Sequence, residues 1–334
     1  MADVNVEAPR VSIITGFYNR GHLLDRTLQS LLKQTYPNFE IIVFDDCSTD
    51  DTQSRLAEYE VKYGSRLRVI RHATRLGFTR GMINAIENSD GEFIAVHGSG
   101  DTASENRISA QVEAFRQRPD LTVVGSHYVN IVESTGVKRL RTPDASKVTF
   151  NSLMRQNLFS HGEVMMRRSA YEQAGGYRAE FESCQDLDLW LRMIKIGPFA
   201  TVPEPLYQRY ILFDGISYNP PKALKQWRYS VLTKRLARMD PDQAEATLRI
   251  LRGSEGLSKL VPSHDPELQR KVFSASLRLL AWGRADVARS AAAYLEDQTY
   301  CVLFNLVYSV VNTKYGSHLA KLFLRALGVL PAGA

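Results

Sequence analysis

The sequence predicts an α/β fold: a mixed, mostly parallel sheet flanked by helices, with a C-terminal helical appendage. Three observations carry this. Short apolar, often β-branched runs alternate with amphipathic segments through about residue 125, the pattern of βαβ units and so of parallel strands. Several runs end in polar turns rich in Gly and Asp, and open α/β sheets hold ligands just past such strand ends. Past Pro221 the character changes to helical segments opened by Asp-Pro pairs.

The elements follow in order. Residues 11–15 form a buried strand, and 16–21 (Gly-Phe-Tyr-Asn-Arg-Gly) a loop. Leu24, Leu28, Leu31 and Leu32 recur at helical spacing until Tyr36, Pro37 and Asn38 break the helix. Residues 40–44 form a second strand that ends at Asp45 and Asp46. Ser48, Thr49, Asp50 and Asp51 look like the cap of the next helix. A third strand spans 67–70, and a helix from about 80 to 88 leads into the central strand. That strand starts at Phe93 and runs out through His97-Gly98-Ser99-Gly100 to one carboxylate, Asp101. A carboxylate there can hold a divalent cation against a phosphate; the competing reading is a tight turn capping the helix at 104–118. A further strand covers 121–125.

Composition bounds the class. The chain has 334 residues, 44% hydrophobic and 23% charged, which suits a globular protein of one large domain plus an appendage. Cys47, Cys184 and Cys301 are scattered and odd in number, which points to a reducing, cytoplasmic compartment and away from a disulfide framework or metal cluster. The first ten residues carry no apolar signal region, and no run reaches the ~18 apolar residues of a membrane span. From Lys222 onward there are 17 Lys and Arg against 9 Asp and Glu; the first 221 residues hold 25 against 27. The basic excess therefore belongs to the C-terminal third. It suits anionic lipid head groups at the inner face of a membrane, or a solvated helical surface. No nucleic-acid partner is expected.

Phosphate-binding motifs are informative by absence. No Gly-x-Gly-x-x-Gly follows the first strand and no Gly-x-x-x-x-Gly-Lys-Ser/Thr occurs, so a dinucleotide fold is disfavoured and a P-loop excluded. A metal or arginines remain to handle a phosphate.

The runs Val-Ser-Ile-Ile-Thr at 11–15, Tyr18-Asn19-Arg20, Leu-Leu-Lys-Gln-Thr-Tyr-Pro-Asn-Phe-Glu-Ile-Ile at 31–42 and Asp45-Asp46-Cys47-Ser48-Thr49-Asp50 together resemble the family 2 glycosyltransferases of the GT-A fold. Ser160-His161-Gly162-Glu163 with the following Val-Met-Met-Arg-Arg, then Gly175-Gly176-Tyr177 and Gln185-Asp186-Leu187-Asp188-Leu189-Trp190, resemble that family's acceptor half. The resemblance spans about residues 10–217, which become the GT-A domain after a short tail at 1–9. Residues 218–334 form the helical region.

The resemblance implies inverting transfer of a sugar from a nucleotide-sugar, with UDP the expected nucleotide, to a glycan or lipid-linked acceptor. Tyr18 would stack on the base and Asp46 would accept the uracil N3 hydrogen. Arg80 would sit near the donor phosphates, with Gly16 and Ser99 on the donor side. Asp186 takes the position of the catalytic base, with Asp188 its nearest competitor. The family usually carries Asp-x-Asp-Asp after the central strand; here Gly98-Ser99-Gly100-Asp101 stands there. Asp101 would then be the single protein ligand to Mg²⁺ or Mn²⁺; alternatively Arg80 and His161 replace the cation. His161 is otherwise an ordinary buried histidine.

Past Pro221, Asp240-Pro241 and Asp265-Pro266 read as N-caps with proline at the first helical position. Leu277, Leu280 and Trp282 lie in one amphipathic segment, and residues 285–295 form another. The stretch 302–330 is amphipathic, with Lys314, Lys321 and Arg325, and suits a membrane surface, packing on the enzyme or a homodimer. A nucleotidyltransferase and a weakened sugar-nucleotide or glycan-binding module are the rival functions; the first lacks its basic glycine loop after strand one.

Overall fold

The computed structural model describes residues 8–212 and 219–311. Two compact units divide after Leu212; the expected boundary at 217 lies outside the described residues. In the first unit, β1 (Val11–Phe17), β2 (Phe39–Asp45), β3 (Leu67–Arg71) and β4 (Phe93–His97) run parallel in the order β3-β2-β1-β4. β2 and β4 are buried at every position, and β1 at all but Gly16, which is why they read as continuous apolar runs. Helices α1 (Leu24–Leu32), α2 (Thr52–Tyr63), α3 (Phe78–Glu87) and α4 (Arg107–Gln117) alternate with them. Leu24, Leu28 and Leu31 are buried on one face of α1, as their spacing requires.

The sheet continues in a less regular half. β5 (Thr102–Ala103) pairs with β9 (Phe199–Ile211), and β6 (Val123–Val132) pairs with β7 (Lys138–Arg141), β8 (Met165–Arg167) and β9. β8 lies antiparallel between β4 and β6. The strand expected at 121–125 thus starts later and runs to Val132. β9 is absent from the sequence reading because Pro203 and Pro205 interrupt it; register shifts opposite Ser126, His127 and Tyr128 absorb them. Short helices α5 (Phe150–Arg155) and α6 (Arg168–Gln173) and then α7 (Gln185–Met193) complete the unit.

Gly16 corrects one expectation. It lies inside β1, not in a loop, and a Cβ there would overlap the Phe44 ring. A packing role therefore accounts for it. Arg107 is fully buried, donates to the Val96 carbonyl (3.0 Å), Gln111 Oε1 (3.1 Å) and His97 Nδ1 (3.3 Å), and so ties α4 to the end of β4.

The second unit is helical throughout its described residues: α8 (Pro220–Leu236), α9 (Pro241–Leu251), α10 (Gly256–Leu260), α11 (Pro266–Ala281), α12 (Ala285–Ala292) and α13 (Gln298–Val311). Asp240 accepts from Gln243 N (2.9 Å) and Asp265 from Glu267 N (3.0 Å), so both Asp-Pro pairs are the caps they read as. Residues 312–330 of the expected amphipathic tail lie outside the described residues. No described helix is long and apolar enough to cross a membrane.

Candidate active site

The register aligns the carboxyl ends of the parallel strands. Phe17 faces Asp45, Asp45 faces Arg71, and Thr15 faces His97, so Tyr18, Asp46, His72 and Gly98 emerge along one sheet edge. β2 and β3 lie on one side of β1 and β4 on the other, which makes the β1/β4 gap the switch point where α/β sheets bind ligands. The loops there are interlocked. Asn19 N donates to Ser48 Oγ (2.9 Å), Thr49 N donates to Asn19 Oδ1 (2.8 Å), and Asp50 accepts from Gly21 N (3.1 Å) and Thr52 N (3.0 Å).

Asp46 is buried and largely engaged. Its Oδ1 accepts from Leu76 N (2.7 Å) and pairs with His72 Nδ1 (3.2 Å); its Oδ2 accepts from Gly77 N (3.0 Å). A carboxylate offers about four acceptor sites, so about one remains for a base edge. The buried Nε2 of His72 has no hydrogen-bond partner. Tyr18 is 36% exposed, and the Arg75 guanidinium lies 4.0 Å from its ring centroid. Arg75 is the residue the sequence reading missed: nothing marks it among the charged residues of 71–80. Arg80 is exposed in the first turn of α3, beside Phe78. Phe78 packs edge-on against His161 at 5.8 Å, which links the donor edge to the acceptor half.

The turn at 98–101 is built differently from a cation site. Asp101 Oδ2 accepts from Tyr207 Oη (2.5 Å) and Oδ1 from Tyr210 N (2.8 Å), so the carboxylate fastens the turn to β9. Burial pushes its carboxyl up to about 6, against the pull of those donors and of Arg209 and Arg26. A Cβ on Gly98 would overlap the Asp101 carboxylate and come within 3.0 Å of Tyr207 Oη; Gly100 has φ +95°. Glycine is required at both positions. No group of three His, Cys, Asp or Glu suited to a metal occurs among the described residues. Asp101, the residue expected to meet a cation, is an anchor of the turn on β9, with each oxygen engaged once. Arg20 Nη1 instead donates to Ser99 O and Ser99 Oγ, both at 3.2 Å, which puts a guanidinium across the β1/β4 gap.

On the acceptor side, Asp186 is the second residue of α7, where the helix dipole favours a negative charge. Its Oδ2 accepts from Asn157 Nδ2 (2.6 Å), and the side chain is half-buried. Asp188 is 3% exposed and held by Arg178 (2.8 Å) and Arg192 (2.7 Å). His161 pairs with Tyr177 Oη (2.6 Å) inside an aromatic cage with Phe78 and Trp190. Burial lowers its pKa although Asp186 pulls upward, so it is neutral at pH 7. It is half-buried beside the acceptor half.

The sequence profile described as Glycosyl transferase family 2 matches residues 12–175. A Bacillus subtilis relative named "Putative glycosyltransferase EpsE" is 31% identical over 192 residues, covering 57% of this chain and 68% of EpsE. This chain belongs to glycosyltransferase family 2. An Escherichia coli family relative, the UDP-Glc:alpha-D-GlcNAc-diphosphoundecaprenol beta-1,3-glucosyltransferase WfgD, is 27% identical over 220 residues, 65% of this chain and 83% of WfgD. Among solved structures, S. aureus TarS (residues 1–349) in complex with UDP superposes with TM-score 0.54 at 17% identity, covering 95% of this chain and 91% of that one. The Pyrobaculum calidifontis mannosyltransferase PcManGT in complex with GDP-Man and Mn²⁺ gives 0.55 at 18% identity, covering 97% and 87%. These two share the GT-A fold with this family 2 glycosyltransferase.

Proposed function

We propose that this glycosyltransferase moves a sugar from a UDP-sugar to a hydroxyl of a glycan or lipid-linked acceptor, with inversion at the anomeric carbon. The carrying observation is the contrast between Asp186, held by one asparagine at a helix N-terminus, and Asp188, enclosed by two arginines. The acceptor oxygen attacks the anomeric carbon while its proton passes to Asp186. The bond from that carbon to the diphosphate oxygen breaks, and the electron pair leaves with the nucleoside diphosphate. One carboxylate within reach suffices for the proton. Asn157 orients it.

The donor reading has parallel support. A base stacks on Tyr18 once Arg75 swings aside, as its largely exposed side chain permits, and the remaining acceptor site of Asp46 takes the base N–H. Arg20 and Arg80 neutralise the diphosphate, with no step routed through a cation. WfgD, by its name, uses a UDP-sugar and a diphosphate-linked lipid acceptor, and the TarS structure holds UDP. The chain works at the inner membrane face: the helical region carries the basic excess, and α13 exposes Val302, Leu303, Leu306 and Val310.

Asp186→Asn tests the proposal. It keeps the shape and the Asn157 contact but cannot take a proton. Turnover should fall by ~10²–10⁴ while calorimetry shows unchanged UDP affinity. Wild-type turnover in this variant would remove Asp186 from the mechanism.

A further inference from the structure

We propose that a groove beside the acceptor side binds the diphosphate of a lipid-linked acceptor. The inference rests on the reading of Asp186 as the base that meets the acceptor hydroxyl. The groove, about 570 Å³, lies between β7, the turn at Ala145–Lys147 and α5. Arg141, Lys147 and Arg155 line it, and Tyr128, Leu140 and Leu158 supply apolar surface. Asp144 is the one carboxylate in its lining. It is committed to its own turn, accepting from Ser146 N (3.0 Å) and Ser146 Oγ (2.5 Å), with Lys147 Nζ at 3.9 Å. Arg141 and Arg155 are paired with no carboxylate among the described residues. The groove therefore carries uncompensated positive charge beside apolar walls.

A solvated face would scatter such cations around a helix. Here they come from three separate segments: Arg141 ends β7, Lys147 closes the turn, and Arg155 ends α5. Arginine forks suit phosphate oxygens, and the exposed Leu140 suits an alkyl or prenyl chain. The position relative to the base is what selects an acceptor. Gln156 is extended (φ −151°, ψ 138°), and Asn157, which donates to Asp186, follows it. Arg155 and Asn157 therefore stand about 7 Å apart along the backbone, at ~3.3–3.6 Å per residue. The groove lining and the residue that holds Asp186 thus belong to one short backbone segment, and in the proposed complex a saccharide bridges the two. A neutral glycan leaves these cations unused; a sugar joined through a diphosphate to a lipid uses the cations and the apolar walls together.

The test uses farnesyl diphosphate, inorganic pyrophosphate and farnesol as probes on the full chain, read by calorimetry. Farnesyl diphosphate should bind wild type more tightly than pyrophosphate, and farnesol should not bind measurably. Arg141→Gln with Arg155→Gln should weaken farnesyl diphosphate binding about a hundredfold, at roughly tenfold per lost charge-assisted contact. Both side chains are exposed, so the thermal unfolding midpoint should not move, and UDP affinity should be retained. Arg20→Gln, which removes a diphosphate contact from the donor cleft, should leave the probe's affinity unchanged. Equal affinity in the double variant overturns the site, and so does loss of the probe in Arg20→Gln, which would put it in the donor cleft. Equal binding of pyrophosphate and farnesyl diphosphate overturns the lipid assignment. Asp186→Asn should bind farnesyl diphosphate as wild type does, so a failed base assignment and a failed anion site read out separately.

Discussion

Asp186 and Asp188 share a helix turn and a residue type, yet only Asp188 is closed in by two arginines. The difference is made by Arg178 and Arg192, which close on Asp188 from outside and inside α7. Glu163 shows the same dependence on surroundings. Its side chain is fully buried, Oε2 accepts from Ser126 N (2.5 Å), and Oε1 has no partner. Burial pushes its carboxyl up to about 8, more than Ser126 N and the nearby Arg107 pull it down. A carboxyl raised above its unfolded value near 4.5 favours the unfolded chain as it ionises. Wild type should therefore lose stability relative to Glu163→Gln as pH rises from about 4.5 to about 8. Thermal melts of the two proteins across that range check this; parallel curves would mean Glu163 does not titrate in this window.

At the scale of elements, the turn after β4 is fixed by its contacts with β9. Asp101 holds β9, Gly98 makes room for that carboxylate, and Gly100 takes a positive φ. Restoring the family's carboxylates should therefore not restore a cation site. Gly98→Asp and Gly100→Asp should each lower stability by on the order of 1–3 kcal/mol, from overlap at the first and backbone strain at the second. UDP affinity of the wild type should be the same in EDTA as in Mn²⁺, with the Arg20→Gln variant weakened in both. A wild-type affinity that collapses in EDTA would return Asp101 to the metal.

Across the whole molecule, charge and apolar exposure coincide in the second unit. Its sequence holds 17 basic against 9 acidic residues from Lys222 on. α13 is anchored by Phe304, 3% exposed, and by Tyr300 stacked on Phe273 at 4.8 Å. Val302 (59% exposed), Leu306 (60%) and Val310 (48%) face away from that anchor. Changing Val302 and Leu306 to Ser should reduce co-sedimentation with anionic vesicles and leave the melting midpoint near wild type, since each is more than half exposed. Equal sedimentation of both forms would assign α13 a different role. A lowered midpoint would show that the face is covered within the protein.

Read alone, the sequence determined the α/β class, the alternation that makes the strands parallel, the helix caps at Asp240 and Asp265, and the strand end at Asp46. Each of these is local: periodicity, β-branching and cap chemistry act over a few residues. What the sequence left open was decided by contacts between distant segments. Gly16 became a strand residue because Phe44, on the neighbouring strand, fills the space of a side chain. Asp101 became an anchor because Tyr207 and Tyr210 arrive from β9, about a hundred residues on and hidden from a strand reading by its prolines. Arg75 over Tyr18, Arg20 on Ser99 and Asn157 on Asp186 are pairings at long separation. One chain's residue types do not encode such pairings locally; the sheet register and the loops it brings together create them.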